Sequence, residues 1–116
     1  MNSILSSFFN NRNNVQNFNS ETFEQNMKND KDAILIDVRT RHEFLDVKIP
    51  DAILIDLMDP HFIHEIKKLD KSKSYYIYCR SGNRSYHACK QMLKLGFKNV
   101  YNLAGGIIDW QGEIER

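Results

Sequence analysis

The chain has 116 residues, a net charge of +1 and a 41% apolar share, enough for one domain with a sizeable core. A charge this close to neutral excludes the broad cationic field that nucleic acid or an anionic membrane surface would require. Two cysteines ten positions apart, Cys79 and Cys89, form neither a disulfide framework nor a Cys-x-x-Cys site, and free thiols suit a reducing cytoplasm. The apolar stretch Ile4 to Phe9 is interrupted by Ser6 and Ser7 and lacks a basic flank, so neither a leader nor a membrane span is expected.

Residues 1–14 are rich in Asn and Ser without a period and read as a flexible arm, in preference to a docking segment built on Phe8 and Phe9. The domain is expected over 15–116. Val15 to Phe18 reads as an edge strand. Ser20, with Glu21 in the first turn, is the expected N-cap of a helix to about Asn29. Ala33 to Asp37 is a compact apolar run of the kind found in strands covered on both faces. A short helical piece follows over Arg41 to Leu45, Pro50 marks a turn, and Ala52 to Ile55 reads as a second buried strand. Asp59 as N-cap and Pro60 at the first position open a predicted helix to Leu69. Tyr75 to Tyr78 is the third core strand. From Ser85 the spacing turns helical, with Ala88 and Met92 on one row and Cys89 and Leu93 on another, and this helix is expected to end at Gly96. Val100 to Leu103 is a further strand, and Gly105-Gly106 leads into a final helix carrying Trp110. Strand and helix alternate throughout, so an α/β fold is predicted, with a mainly parallel central sheet of about five strands flanked by helices on both faces.

Catalytic groups in such sheets gather beyond the carboxyl ends of the strands. Cys79 lies at such an end and opens the segment Cys79-Arg80-Ser81-Gly82-Asn83-Arg84-Ser85. A turn between a buried strand and a helix aims free main-chain N–H groups at its centre. With Arg80 and Arg84 nearby, both the helix dipole and the guanidinium charges are expected to keep the thiol ionised. Cys89 shares a helix face with Leu93 and is expected in the core. Asp37, at the end of a strand, reads as a carboxylate held by a neighbouring loop, and Arg39 with Glu43 as an internal ion pair. His61 and His64 read as an exposed helix face in preference to metal ligands. His87 is not needed as a base, and Trp110 reads as a core or lid residue.

Several separated motifs together resemble the rhodanese family of sulfurtransferases over roughly Val15 to Gly112. They are Asp37-Val38-Arg39 followed by Glu43-Phe44; Lys48-Ile49-Pro50-Asp51-Ala52; the whole segment from Cys79 to Ser85; and Gly96-Phe97, Asn99-Val100, Leu103-Ala104-Gly105-Gly106 and Trp110. The resemblance implies a rhodanese-like fold and a Cys79 persulfide that carries sulfane sulfur. The donor would be a small anion such as thiosulfate, and the acceptor cyanide, a thiol or a protein; no metal or organic cofactor is implied. Arg80 would guide the donor, the main-chain N–H groups of Arg80 to Ser85 would supply the cradle with Gly82 permitting its turn, and Arg84 would brace the loop against a carboxylate such as Glu43. Asp37, Arg39 and Glu43 would be supporting residues. A persulfide carrier in a protein relay is the alternative. A phosphatase or arsenate reductase on the same fold is disfavoured, because phosphatases of this fold have five residues between the cysteine and the loop arginine and this chain has four, Arg80 to Asn83. Two positions depart from the family pattern: Lys48 stands in place of the commoner His, and Asp51 in place of the commoner Gly.

Overall fold

A computed structural model describes residues 14–116; the expected arm falls almost wholly outside them. Five strands, β1 (Gln16–Phe18), β2 (Ala33–Asp37), β3 (Ile53–Leu54), β4 (Ser74–Tyr78) and β5 (Asn99–Leu103), form one sheet in the order β1-β5-β4-β2-β3. Every pairing is parallel. Helices α1 (Ser20–Lys28), α2 (Arg41–Asp46), α3 (Phe62–Lys67) and α4 (Asn83–Lys94) fall between the strands, as parallel pairing demands of its crossovers. No helix among the described residues is long and apolar enough to cross a membrane.

β4 is the central strand and is buried at all five positions. Tyr75 and Ile77 face a core shared with Phe62 and Ile66 of α3 and with Ala88, Cys89 and Met92 of α4. Tyr76 and Tyr78 face the opposite core, beside Phe23 of α1, Leu35 and Leu103. Each tyrosine hydroxyl is satisfied despite its burial. Tyr75 donates to the Asp70 carbonyl at 2.6 Å, Tyr76 donates to Asp30 Oδ2 at 3.0 Å, and Tyr78 accepts from the Ile49 N–H at 3.1 Å. The two-residue period continues one step beyond the strand, so Cys79 falls on the α4 side. The sheet therefore delivers the thiol to the mouth of that helix.

Element boundaries depart from the sequence reading where tertiary partners intervene. Asn19, not Ser20, caps α1 by accepting from the Thr22 N–H at 2.9 Å, because the Ser20 hydroxyl accepts from Gln111 N–H at 2.9 Å. β3 keeps only two residues and lies at the sheet edge, leaving Ile53 49% exposed instead of buried. Asp59 organises a turn around Pro60, accepting the His61 N–H at 2.7 Å, and α3 begins only at Phe62. α4 starts two residues early, at Asn83. It closes with paired bonds from Gly96 N–H to the Leu93 carbonyl and from Phe97 N–H to the Met92 carbonyl, both at 3.1 Å, with Gly96 at φ 98°. The expected last helix is a single 3₁₀ turn, Ile107–Asp109. The Cys79 and Arg80 carbonyls cap its Ile107 and Ile108 N–H groups at 2.9 and 3.2 Å, and it goes no further because the Gln111 N–H, which would bond back to Ile107, is taken by Ser20 Oγ at 2.9 Å.

Candidate active site

The Cys79 side chain is 1% exposed and lies inside a ring of donors. Its Sγ accepts from Gly82 N–H at 3.1 Å, from Ser85 N–H at 3.4 Å and from the Ser85 hydroxyl at 3.3 Å. Burial alone would push the thiol up, but the Ser85 hydroxyl and the Ser85, Gly82 and Ser81 amides outweigh it and hold the thiol below its ordinary value. The arginines act differently from the sequence reading. Arg80 is exposed at the rim, and the Arg84 guanidinium is occupied by a carboxylate. Ser81 and Asn83 are exposed while Gly82 and Ser85 are buried. Cys89, on the core side of α4, is fully buried and pushed far up by desolvation and by its charged neighbour Cys79. Iodoacetamide is therefore expected to label Cys79 with a rate that inflects below the ordinary thiol value of about 8.5, and to leave Cys89 unmodified in the folded chain. A rate–pH profile with peptide mapping reads both.

Arg84 forms a two-pronged bond to Glu43, Nη1 to Oε1 at 2.8 Å and Nη2 to Oε2 at 3.0 Å. Glu43 also closes a capping box on α2: it accepts from Thr40 N–H at 3.1 Å, and Thr40 Oγ1 accepts the Glu43 N–H at 3.3 Å. The brace from loop to carboxylate is thus present, and it displaces the expected Arg39–Glu43 pair. Arg39 turns to Asp37, with Nη2 to Oδ2 at 2.7 Å and Nε to Oδ1 at 3.0 Å, and donates again to the Val47 carbonyl at 2.6 Å. The Arg84 bond, opposed by burial and aided by Thr40, lowers Glu43 from 4.5 to about 2. A depressed carboxylate stabilises the fold above its unfolded value, and that contribution drains away as pH falls from 4.5 toward about 2. Acid unfolding is expected to show a loss on the order of 2 kcal/mol in that window, allowing for solvent around a half-buried pair. Glu43→Gln is expected to flatten this part of the stability–pH curve.

The loop after Cys79, its brace and the parallel sheet have counterparts among known proteins. Residues 20–113 match the family model described as the rhodanese-like domain. This chain belongs to the rhodanese-like family. A sulfurtransferase of Allochromatium vinosum is 38% identical over 97 residues, covering 83% of this chain and 88% of that protein. The candidate sulfur carrier protein YrkF of Bacillus subtilis is 32% identical over 105 residues, a match spanning 90% of this chain and 56% of that one. A rhodanese-like domain protein from Staphylococcus aureus superposes with a TM-score of 0.73 at 25% identity, over 87% of this chain and 97% of that chain. Sulfur transfer is the activity supported at the level of the family.

Both departures of this rhodanese-like domain have local consequences. Asp51 takes φ 71°, the left-handed conformation for which glycine is the usual choice. Lys48 pairs through its main chain with Glu115, donating at 2.9 Å and accepting at 2.7 Å, and its ammonium meets Glu115 Oε1 at 2.8 Å. The final segment is thereby held along a cleft of about 300 Å³ whose walls include Arg39, Glu43, Arg80, Ile107, Trp110 and Arg116. Trp110 packs edge-on to Phe23 at 6.0 Å and also lines this cleft. His61, His64 and His87 are exposed, and among the described residues no cluster of three or more His, Cys, Asp or Glu could hold a metal ion.

Two contributors to the loop escaped the sequence reading. Gly106, at φ 67°, packs so tightly beneath the loop that a Cβ there would run into the Arg80 carbonyl. Asn102, in β5, donates to the Gly82 carbonyl at 3.2 Å. The only signal for Asn102 was an amide side chain inside the otherwise apolar and aromatic run Val100 to Leu103.

Proposed function

We propose that this domain moves sulfane sulfur through a persulfide on Cys79. The Cys79 thiolate attacks the outer sulfur of a donor such as thiosulfate; the donor's S–S bond breaks, and sulfite leaves with the bonding electron pair. An acceptor nucleophile, cyanide or a thiol, then attacks the outer sulfur and returns the thiolate. Ser81, Gly82 and Ser85 hold the sulfur as an anion, Asn83 supplies a further amide at the head of α4, Arg80 receives the donor's sulfonate at the rim, and Asp37, Arg39, Glu43 and Arg84 keep the loop in shape. The observation that carries this reading is the convergence of Gly82 N–H, Ser85 N–H and Ser85 Oγ on one buried Sγ. Donors arranged before reaction suit a charge that stays on sulfur at each step. The short loop, four residues between Cys79 and Arg84, supports sulfur over a bulkier phosphate ester.

A second reading, a persulfide carrier loaded by a partner protein, is favoured by the 1% exposure of Cys79 and by similarity to a candidate sulfur carrier. Intact-mass analysis after incubation with thiosulfate, without reductant, tests the shared chemistry. One added sulfur, mapped to Cys79 and discharged by cyanide, is expected; no addition from thiosulfate or from a desulfurase-type donor overturns both readings. Sustained thiocyanate release marks the enzyme, and loading only from a protein donor marks the carrier.

A further inference from the structure

We propose that Asn102 is a positioning residue for the sulfur site, its side-chain amide fixing the Gly82 carbonyl and with it the main-chain donors on either side of that residue. The inference rests on the reading of Cys79 as the sulfur-bearing group. Asn102 is 1% exposed. It lies on β5 in register with Asn17 of β1 and Ile77 of β4, two residues after Val100, which belongs to the core beneath α4. Its Nδ2 donates to two acceptors, the Gly82 carbonyl at 3.2 Å and Asn17 Oδ1 at 2.8 Å. Its own Oδ1 is buried with no partner among the described residues. A buried, unpaired amide oxygen is unfavourable, and an apolar side chain of the same size would avoid it. Reversing the amide gives no relief, since it would set Oδ1 against the Gly82 carbonyl. What the asparagine supplies is therefore its NH₂ group, directed at the loop.

Gly82 is the loop residue that most needs such a tether. It sits at φ 98° with the Ala104 carbonyl where a Cβ would be, so it has no side chain of its own to pack in place. Its N–H reaches Cys79 Sγ at 3.1 Å. Its carbonyl, which also accepts the first bond of α4 from Tyr86 N–H at 3.1 Å, belongs to a trans peptide. In a trans peptide the N–H points opposite to the carbonyl. Holding the carbonyl toward β5 and along α4 turns the Asn83 N–H out of the open end of the helix, the side on which an outer sulfur on Cys79 must lie. Asn17, an exposed residue of the edge strand, fixes the tether from behind.

Asn102→Leu separates positioning from packing. It removes the unpaired oxygen, keeps the volume close and leaves Asn17 free to bond water. Its urea midpoint is expected to match or exceed that of the unmodified chain. The apparent thiol pKa, read from the pH dependence of Cys79 alkylation, is expected to rise by about 0.5 to 1, slowing labelling roughly three- to tenfold at pH values below both. The thiosulfate-loaded persulfide is also expected to lose its outer sulfur faster. A folded Asn102→Leu chain with an unchanged alkylation profile and persulfide lifetime overturns the role of Asn102; should leucine fail to fold, Asn102→Ala is read by the same criteria. If the unmodified chain takes up no sulfur, the Cys79 reading falls instead, and this role falls with it.

Discussion

Arg39→Ala is expected to lower the unfolding free energy by about 3–5 kcal/mol, the typical result of stripping the partner from a buried ion pair. The Asp37 and Arg39 side chains are 0% and 3% exposed, so water cannot take the place of the guanidinium. Three bonds from the side chain would vanish at Asp37, leaving its carboxylate with the Arg39 N–H at 2.9 Å, and the Val47 carbonyl would lose its 2.6 Å donor. Domains have about 5–15 kcal/mol in total, so a large share of the stability is at stake. Urea unfolding followed by circular dichroism measures the loss. The double variant Asp37→Leu/Arg39→Met is expected to recover most of it, because two apolar side chains leave no charge stranded. A single variant as stable as the parent would mean that the pair opens to solvent.

Cys79→Ser is expected to reduce sulfur loading from thiosulfate by at least about 10³-fold while leaving thermal stability nearly unchanged. Serine can accept from the same Gly82 and Ser85 donors that surround Sγ, so the loop keeps its form. The hydroxyl stays protonated and forms no bond to sulfur that can be broken again by a thiol. The contrast between intact packing and lost chemistry is the useful part of the experiment, read by melting temperature and intact mass on one sample. Loading that survives in the serine variant would move the chemistry to another group and overturn the assignment of Cys79.

How far the sequence could be read depends on where each element finds its hydrogen bonds. Ala33–Asp37, Ser74–Tyr78 and Asn99–Leu103 are strands inside the sheet, and their apolar and aromatic runs announced them within a residue. Ile53 is apolar for an edge position and so read as core. The segment after Gly106 read as a helix, yet Ser20 Oγ, far away in sequence, takes the Gln111 N–H that would continue it; no local pattern encodes that competition. The same holds for the arginines. Arg84 and Glu43 are 41 positions apart and were paired from the family motif, whereas Arg39 had two carboxylates close in sequence, and burial beside Asp37 decided between them. Donors to Cys79 were legible as a loop type, but the preference for amides and a hydroxyl over guanidinium charge emerged only from the geometry.

The burial of Cys89 has a consequence for damage and repair. Oxidation of a sulfur-bearing cysteine to the sulfenic state is ordinarily rescued by a neighbouring thiol that condenses with it. The chain's only other thiol is neutral, desolvated and walled in by the core, so it is poorly suited to that attack. A domain oxidised at Cys79 must look to a thiol from another molecule to regain its reduced form.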